Sequence, residues 1–353
     1  MKSLVKQVEG AKVYVGLSGG VDSAVTAALL KRMGAEITGV FIKGAYPEEL
    51  HCTWADDRRD AMRVAAHLGI PFVTLDASEA YQKSVIDYLV SEYKAGRTPN
   101  PDIFCNRDVK FGVFYEYAKE KAGDYIATGH YARIVHGDAP KLLRGVDPLK
   151  DQSYFLWAVS SDALSMSLFP LGEMEKKEVR KQAELFNLPV KNKKDSQGIC
   201  FLGPVSMDEF LKSHFSVEDG IAVDESGKEV GKHEGALLYT LGERVALTEA
   251  LPGPWYVHKK DLEKNQITVS KERTILEKKE EIRLSSCNWL KEVGSAEVVE
   301  AQYRYHGPVL LGTLNQDKGI FIPSNPLTEP IAEGQSLVIY QKDLCIGGGI
   351  IAG

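Results

Sequence analysis

Apolar runs alternate with amphipathic stretches through the first half of the chain. KVYVGL (12–17) reads as a buried strand, and SAVTAALLKRM (23–33) has helical spacing up to Gly34. EITGVFI (36–42) predicts a second strand, DRRDAMRVAAHL (57–68) a helix closed by Gly69, and PFVTL (71–75) a third strand. A long helix is predicted over 78–96 with Ser78 as its N-cap, another over 107–123, and a strand within 124–130. This β-α-β-α order is that of a parallel sheet with helices on both faces.

The pattern changes after about residue 205. GIAV (220–223), ALLYTL (236–241), PWYVHKK (254–260) and QITVSK (266–271) are short, β-like and separated by turn residues. A third block contains EIRLSS, AEVVEAQYRY, PVLLGTL, GIFIPS, SLVIY and CIGGGIIAG, between residues 281 and 353. Regular short strands with Gly, Pro and Asn between them predict small barrels. The expected class is α/β. An N-terminal parallel-sheet domain spans 1–205, a small β-rich central domain 206–278, and a C-terminal β-barrel 279–353.

Composition narrows the function. At 353 residues, 44% hydrophobic and 26% charged, the chain is long enough for several domains of ordinary globular make-up. MKSLVKQVEG lacks the apolar core of a signal peptide, and no apolar run is long enough to span a bilayer. A cytoplasmic protein without a membrane partner is expected, and a monomer. A formal charge of −6 argues against a generally basic nucleic-acid coat, though not against a local one. Residues 171–194 hold seven Lys or Arg against four Glu, and charge alone reads them as a solvated helix face. Cysteines stand at 52, 105, 200, 287 and 345 with no CxxC pair and no His at zinc-ligand spacing, so no metal site is expected on the protein.

Two stretches carry chemistry. GLSGGVDS (16–23) lies where the first strand passes to the first helix. Its glycines allow a tight turn, and the helix start adds a positive end, so the loop suits an anion. It lacks the lysine of an ordinary P-loop. NPDIFCNRDVKF (100–111) sets Cys105 in a proline-stiffened loop beside Asp102, Arg107 and Lys110. A buried small residue, a metal ligand and a reactive thiol are all open there.

SGGVDS after an apolar strand resembles the signature of the PP-loop ATP pyrophosphatases. AGRTPNPDIFCN (95–106), ATGHYAR (127–133), LLRGVDPLKDQSYFLW (142–157), SLFPLGEMEKKEVRKQAE (167–184), KDSQGICFLG (194–203) and CIGGGII (345–351) resemble, within that superfamily, the tRNA-specific 2-thiouridylases, over nearly the whole chain. The resemblance implies a PP-loop domain that uses ATP, with Mg²⁺ assisting. The C2 oxygen of a tRNA wobble uridine would be adenylated and then replaced by sulfur. Adenylation matters because a carbonyl oxygen leaves poorly unless it departs as part of AMP. A cysteine desulfurase or sulfur-relay protein is the implied donor.

The resemblance also carries over residues. Gly16, Leu17, Ser18, Gly19, Gly20, Val21, Asp22 and Ser23 would hold the nucleotide, with Ile42 against adenine and Gly129 lining the pocket; for Ile42 a plain core role reads equally well. Asn100, Pro101 and Asp102 would meet the target base. His130, Lys150, Asp151, Gln152, Tyr303, Arg304 and Gln335 would meet the RNA, although a lone His130 and a Tyr303 in a β-run are more often structural. Cys200 would carry a persulfide, Cys105 would release the product, and Asp102 would shuttle a proton. Arg107 and Lys110 would favour the Cys105 thiolate, and Cys52, Cys287 and Cys345 are read as packing. Three positions depart from the family: its Asn-Trp is replaced by GAYP (44–47), its Gly-Gln-Arg-Lys-Gly reads GERVA (242–246), and its Arg before Tyr-Arg is Gln302. The rivals are a PP-loop amide or amidine ligase, which has no use for the two cysteines, and a non-catalytic nucleotide- or tRNA-binding module.

Overall fold

The structure, a computed structural model, describes residues 2–45, 54–195, 205–272, 280–327 and 329–352. The chain opens with helix α1 (Lys2–Val8), strand β1 (Lys12–Gly16), helix α2 (Val21–Arg32), β2 (Glu36–Lys43), helix α3 (Trp54–Leu68) and β3 (Phe72–Asp76). With β4 (Tyr125–Ala127) and, after β5 (Ala132–Val135) and β6 (Lys141–Arg144), β7 (Ser167–Leu168), they form a five-stranded parallel sheet in the order β3-β2-β1-β4-β7.

Alternation along β1 sorts the two faces. Val13 and Val15 pack with α2, α3 and the helix Lys176–Leu185, while Tyr14 points to the opposite core with Phe114, Ala118 and Ile126. α2 is buried almost all round, from Val21 to Leu30, because it lies between the sheet and outer helices. That burial explains why its sequence is apolar rather than striped.

The predicted helix over 107–123 begins earlier. Pro101–Phe104, Cys105–Val113 and Phe114–Glu120 run on as one helical rod, wider-wound in the middle. The supposed loop around Cys105 is therefore a helix, and Pro101 occupies its first position, where a missing N–H costs nothing. The same widening interrupts the rod Ser78–Tyr81, Gln82–Asp87, Tyr88–Lys94.

The central unit is a five-stranded sheet ordered β10-β11-β12-β8-β9: β8 (Gly220–Val223), β9 (Glu229–His233), β10 (Arg244–Val245), β11 (Trp255–Asp261) and β12 (Gln266–Ser270). ALLYTL, expected as a strand, instead makes a single tight turn over Ala236–Leu238; a short apolar run does not distinguish the two.

The last unit holds β13 (Ile282–Trp289), β14 (Val298–Gln302), β15 (Val309–Asn315), β16 (Ile320–Pro323), β17 (Ser336–Gln341) and β18 (Leu344–Ala352). Their order β13-β16-β15-β14-β17-β18 is closed into a barrel by β13–β18 pairing. The β5–β6 hairpin, from the first 205 residues, adds to the outside of β18 at Leu344↔Leu143. Trp157, Tyr154 and Leu142 share one core with Val338, Tyr340 and Cys345 of the barrel.

Candidate active site

The strand order reverses between β1 and β4, and α/β sheets open a crevice at the carboxyl ends of such a pair. Leu17–Gly20 leaves β1 there. α2 starts from an extended Gly20 without a side-chain cap, so its first N–H groups remain free for an anion. Two serines hold the loop's shape. Ser18 N–H donates to Ser23 Oγ at 3.1 Å, Gly20 N–H to Ser18 Oγ at 3.3 Å, and Ser23 Oγ–H to the Gly20 carbonyl at 3.2 Å. Gly19 has φ +77°, and a Cβ there would lie 2.3 Å from the Asp57 carbonyl oxygen. Gly129, just past β4, comes so close that a Cβ would sit 2.9 Å from the Ser23 nitrogen. Both glycines are required by close approach, not only by the turn. Leu17 and Val21 are buried in the core, and Ile42, half-buried at the end of β2, packs against the cluster that contains Cys105.

Charged side chains converge on this loop. Lys176 Nζ donates to both oxygens of Asp22 at 2.7 and 2.8 Å, and the Tyr131 hydroxyl donates to Asp22 Oδ1 at 2.9 Å. Lys176 also reaches Asp195 Oδ1 at 2.9 Å, Lys150 reaches Asp195 Oδ2 at 3.2 Å, and Arg180 pairs with Asp195 Oδ1. Lys193 Nζ donates to the Gly19 carbonyl at 3.1 Å and to Asp57 and Asp60 at 2.8 Å each. Partial burial works to raise the Asp195 carboxyl, but hydrogen bonds from Lys176 and Lys150 outweigh it and hold the group down at about 2. Burial, then the Asp22 charge, pushes the Tyr131 hydroxyl far above its ordinary range.

Lys176, Arg180 and Lys193 belong to the basic stretch expected to be a solvated face, and all three turn inward. The available signal was spacing. Lys176 and Arg180 are four apart and share a helix face, next to an apolar face that must be buried.

Cys105 is 4% exposed and packs among Tyr81, Leu89, Val109 and Phe210. Asp102, three residues earlier in the first turn of the rod, lies on the same helix face. Asn100 is the residue from which that rod starts, and Pro101 is buried. Arg107 makes a two-pronged pair with Asp108 at 2.7 and 2.8 Å and lies over the Phe104 ring, and the charge of Lys110 is felt at His130. Cys345 is fully buried and its thiol is pushed up to about 12, as packing requires. Cys287 is exposed as a residue, yet its sulfur lies against Gly319 and Gly349, and burial pushes the thiol up. Cys200, Cys52 and the Tyr46-Pro47 part of GAYP lie outside the described residues.

The residues assigned to RNA fall into two groups. His130 is buried against Phe111 and Phe169, and burial, with the Lys110 charge, holds it neutral. Asp151 accepts from the Gly145 and Ser153 N–H groups at 2.9 and 3.1 Å and is buried, while Gln152 exchanges hydrogen bonds with the Tyr131 backbone. Tyr303 is 2% exposed in the barrel core. Lys150, Arg304 and Gln335 remain at the surface. Arg304 and Gln335 line an open cavity of about 480 Å³ with Thr240, Glu243, Arg244 and Tyr256, between the central unit and the barrel. Gln335 Nε2 donates to the Thr98 carbonyl at 2.6 Å, and Thr98 N–H donates to the Glu333 carbonyl at 2.9 Å. The barrel thus grips the segment leading into the Cys105 rod. Gln302 bridges Arg144, at 3.1 Å, and the Arg304 carbonyl, at 2.9 Å.

Among the described residues there is no cluster of three or more His, Cys, Asp or Glu able to hold a metal, and no helix long and apolar enough to cross a membrane.

Comparison with known proteins agrees with this architecture. Residues 11–204 match the family described as tRNA methyl transferase HUP domain, 208–271 the tRNA methyl transferase PRC-barrel domain, and 279–351 the aminomethyltransferase beta-barrel domain. The chain is 38% identical to the tRNA-specific 2-thiouridylase MnmA of Francisella tularensis subsp. novicida, over 98% of this chain and 100% of that one. It is 41% identical to the MnmA of Vibrio cholerae serotype O1, over 96% of each. Among solved structures, the U34-tRNA thiolase NcsA from Methanococcus maripaludis is 20% identical over 57% of this chain and 68% of that one, with a TM-score of 0.38, too slight an overlap to bear on activity. The full-length relatives are thiouridylases and cover all three matched segments, so the chain belongs to the tRNA-specific 2-thiouridylase family.

Proposed function

We propose that this chain thiolates the wobble uridine of tRNA at C2, with ATP consumed to AMP and pyrophosphate. The observation that carries the reading is the glycine-pinned loop at the β1/β4 switch point, whose free N–H groups and inward lysines suit a pyrophosphate. Two structural facts support the rest. The Asp102–Cys105 face belongs to a rod packed beside the β4 end of that crevice, through Phe111 against His130. The cavity at Arg304 and Gln335, where RNA phosphates would sit, is tied through Gln335 to Thr98 in the segment that leads into the same rod.

In this reading the C2 oxygen attacks the α-phosphorus of ATP and pyrophosphate leaves. Mg²⁺, held mainly by the phosphates, would offset their charge, and Asp22 is the carboxylate of the loop placed to help, once it exchanges its bond to Lys176. The uridine must leave its stack to reach the site. The terminal sulfur of a Cys200 persulfide then attacks C2 and AMP departs with the oxygen. Cys105 attacks the Cys200 sulfur, forming a Cys105–Cys200 disulfide and releasing 2-thiouridine, and an external thiol reductant resets the pair. Asp102 handles the proton. The thiol's burial requires the segment around Cys105 to open when RNA binds. Sulfur reaches Cys200 from a cysteine desulfurase or a relay protein, and the reaction takes place in the cytoplasm.

The test supplies protein, ATP, unmodified tRNA and a cysteine desulfurase, with nucleoside mass spectrometry as readout. Wild type forms 2-thiouridine; Cys105→Ser and Cys200→Ser do not turn over. Alkylation finds persulfide in Cys105→Ser and none in Cys200→Ser. An amide product from added ammonia, with no sulfur in the RNA, would replace this reading by a PP-loop ligase.

A further inference from the structure

Asp195 stands in an unusual setting. Three cationic side chains, Lys150, Lys176 and Arg180, end on its single carboxylate, and Lys176 carries the contact on to Asp22 of the phosphate loop. Two of the cations, Lys176 and Arg180, are also anchored independently of it. The Lys176 backbone N–H donates to Asp147 Oδ2 at 3.0 Å, and Arg180 Nη1 donates to the Lys191 and Lys193 carbonyls at 3.2 and 2.7 Å. The Lys176 side chain is 15% exposed, whereas that of Asp195 is 36% exposed. Lys176 and Arg180 are the anchored part of the frame, and the carboxylate, with the 39% exposed Lys150, closes it on the outer side.

We propose that the Asp195 carboxylate occupies a phosphate position of this site, and that a phosphate oxyanion displaces it on binding. A carboxylate has two oxygens for three donors, and here Oδ1 takes Lys176 and Arg180 while Oδ2 takes Lys150. A phosphate offers more oxygens and more charge to the same three groups. With Asp195 swung out and nothing in its place, Lys150 and Arg180 would lose their shared carboxylate and Lys176 would keep Asp22, beside the positive end of α2. Asp195 therefore keeps the frame assembled and charge-balanced until the ligand arrives, and its release sets part of the ligand's affinity. The phosphate belongs either to the nucleotide or to the RNA backbone; both bring the same chemistry. The inference rests on the nucleotide and tRNA reading above.

Equilibrium binding of pyrophosphate and, separately, of a short uridine-containing RNA hairpin tests it, on wild type, Asp195→Asn, Lys150→Gln/Arg180→Gln and the triple variant. Asp195→Asn removes a competitor, so one ligand binds about fivefold more tightly or better. That gain vanishes in the Lys150→Gln/Arg180→Gln background, because the competitor then has fewer donors to hold. Tightening of pyrophosphate alone assigns the position to the nucleotide, and tightening of RNA alone assigns it to the backbone. Unchanged or weaker binding of both, no binding by any of the four proteins, or a gain that persists in the double-variant background overturns the proposal. The readout is affinity, so a wild type that binds but does not thiolate counts against the function above and not against this displacement.

Discussion

Asp22 is the side chain on which the site's charge balance turns, since it faces Lys176, Tyr131 and the start of α2 together. Asp22→Ala is expected to lower AMP formation about a hundredfold while tRNA affinity stays nearly unchanged. A filter-binding and AMP-release pair of assays checks this, and unchanged AMP release would remove Asp22 from nucleotide use. The acidic groups around the loop were invisible to sequence pattern, because Asp57 and Asp60, Asp147, and Asp195 come from three separate segments. Lys260 makes a second residue-scale case. Burial pushes its ammonium down to about 8, against the favourable pull of Glu243. The folded value lies below the unfolded one, so below pH 8 the buried charge destabilises the protein. That cost fades as pH rises from 8 toward the ordinary lysine range, where the unfolded chain binds the extra proton. Lys260→Met is therefore expected to stabilise the protein by about 2 kcal/mol at pH 7, with the gap closing by pH 10. Urea unfolding at the two pH values measures it; a gap independent of pH would contradict the argument.

At the scale of elements, strands and helices that pack by simple periodicity were readable. β1 to β3, α2 and nearly every barrel strand fall within a few residues of their predicted bounds. The start of the Cys105 rod was not, because Asn-Pro-Asp reads as a turn as readily as a helix entry. Nor was the β5–β6 hairpin, whose partner strand lies about two hundred residues away in sequence. The same long-range contact problem hid the role of Gln335. Its bond to Thr98, with the Thr98–Glu333 bond, holds the entry to the rod against the barrel. Gln335→Ala is expected to speed hydrogen exchange over residues 97–104 about fivefold and to lower the thiolation rate without changing ATP affinity. Unaltered exchange together with weaker tRNA binding would instead make Gln335 a plain RNA contact.

Over the whole molecule, the β-α-β order and the shift to short strands after residue 205 made the α/β sheet and the following β units legible. Their interlocking was not. Asn288 Nδ2 donates to the Trp157 and Val159 carbonyls at 2.7 and 3.1 Å, and the Tyr154 hydroxyl donates to the Ser336 carbonyl at 3.0 Å. A chain ending at residue 278 would lose these bonds and bare the Leu142–Trp157 core. It is expected to unfold at lower urea than the same region in the full chain and to aggregate, as read by chemical denaturation and light scattering. Equal midpoints would mean that the barrel is an independent attachment. The barrel is thus part of the core of the N-terminal unit.

The central claim is that ATP activates the uridine's own carbonyl oxygen. An anticodon hairpin synthesised with ¹⁸O at C2 of the wobble uridine tests it directly, through the mass of the AMP released during thiolation. The account predicts one ¹⁸O in AMP for every 2-thiouridine formed, since that oxygen leaves with the nucleotide. Unlabelled AMP alongside 2-thiouridine would show that the oxygen departs by another route and contradict it.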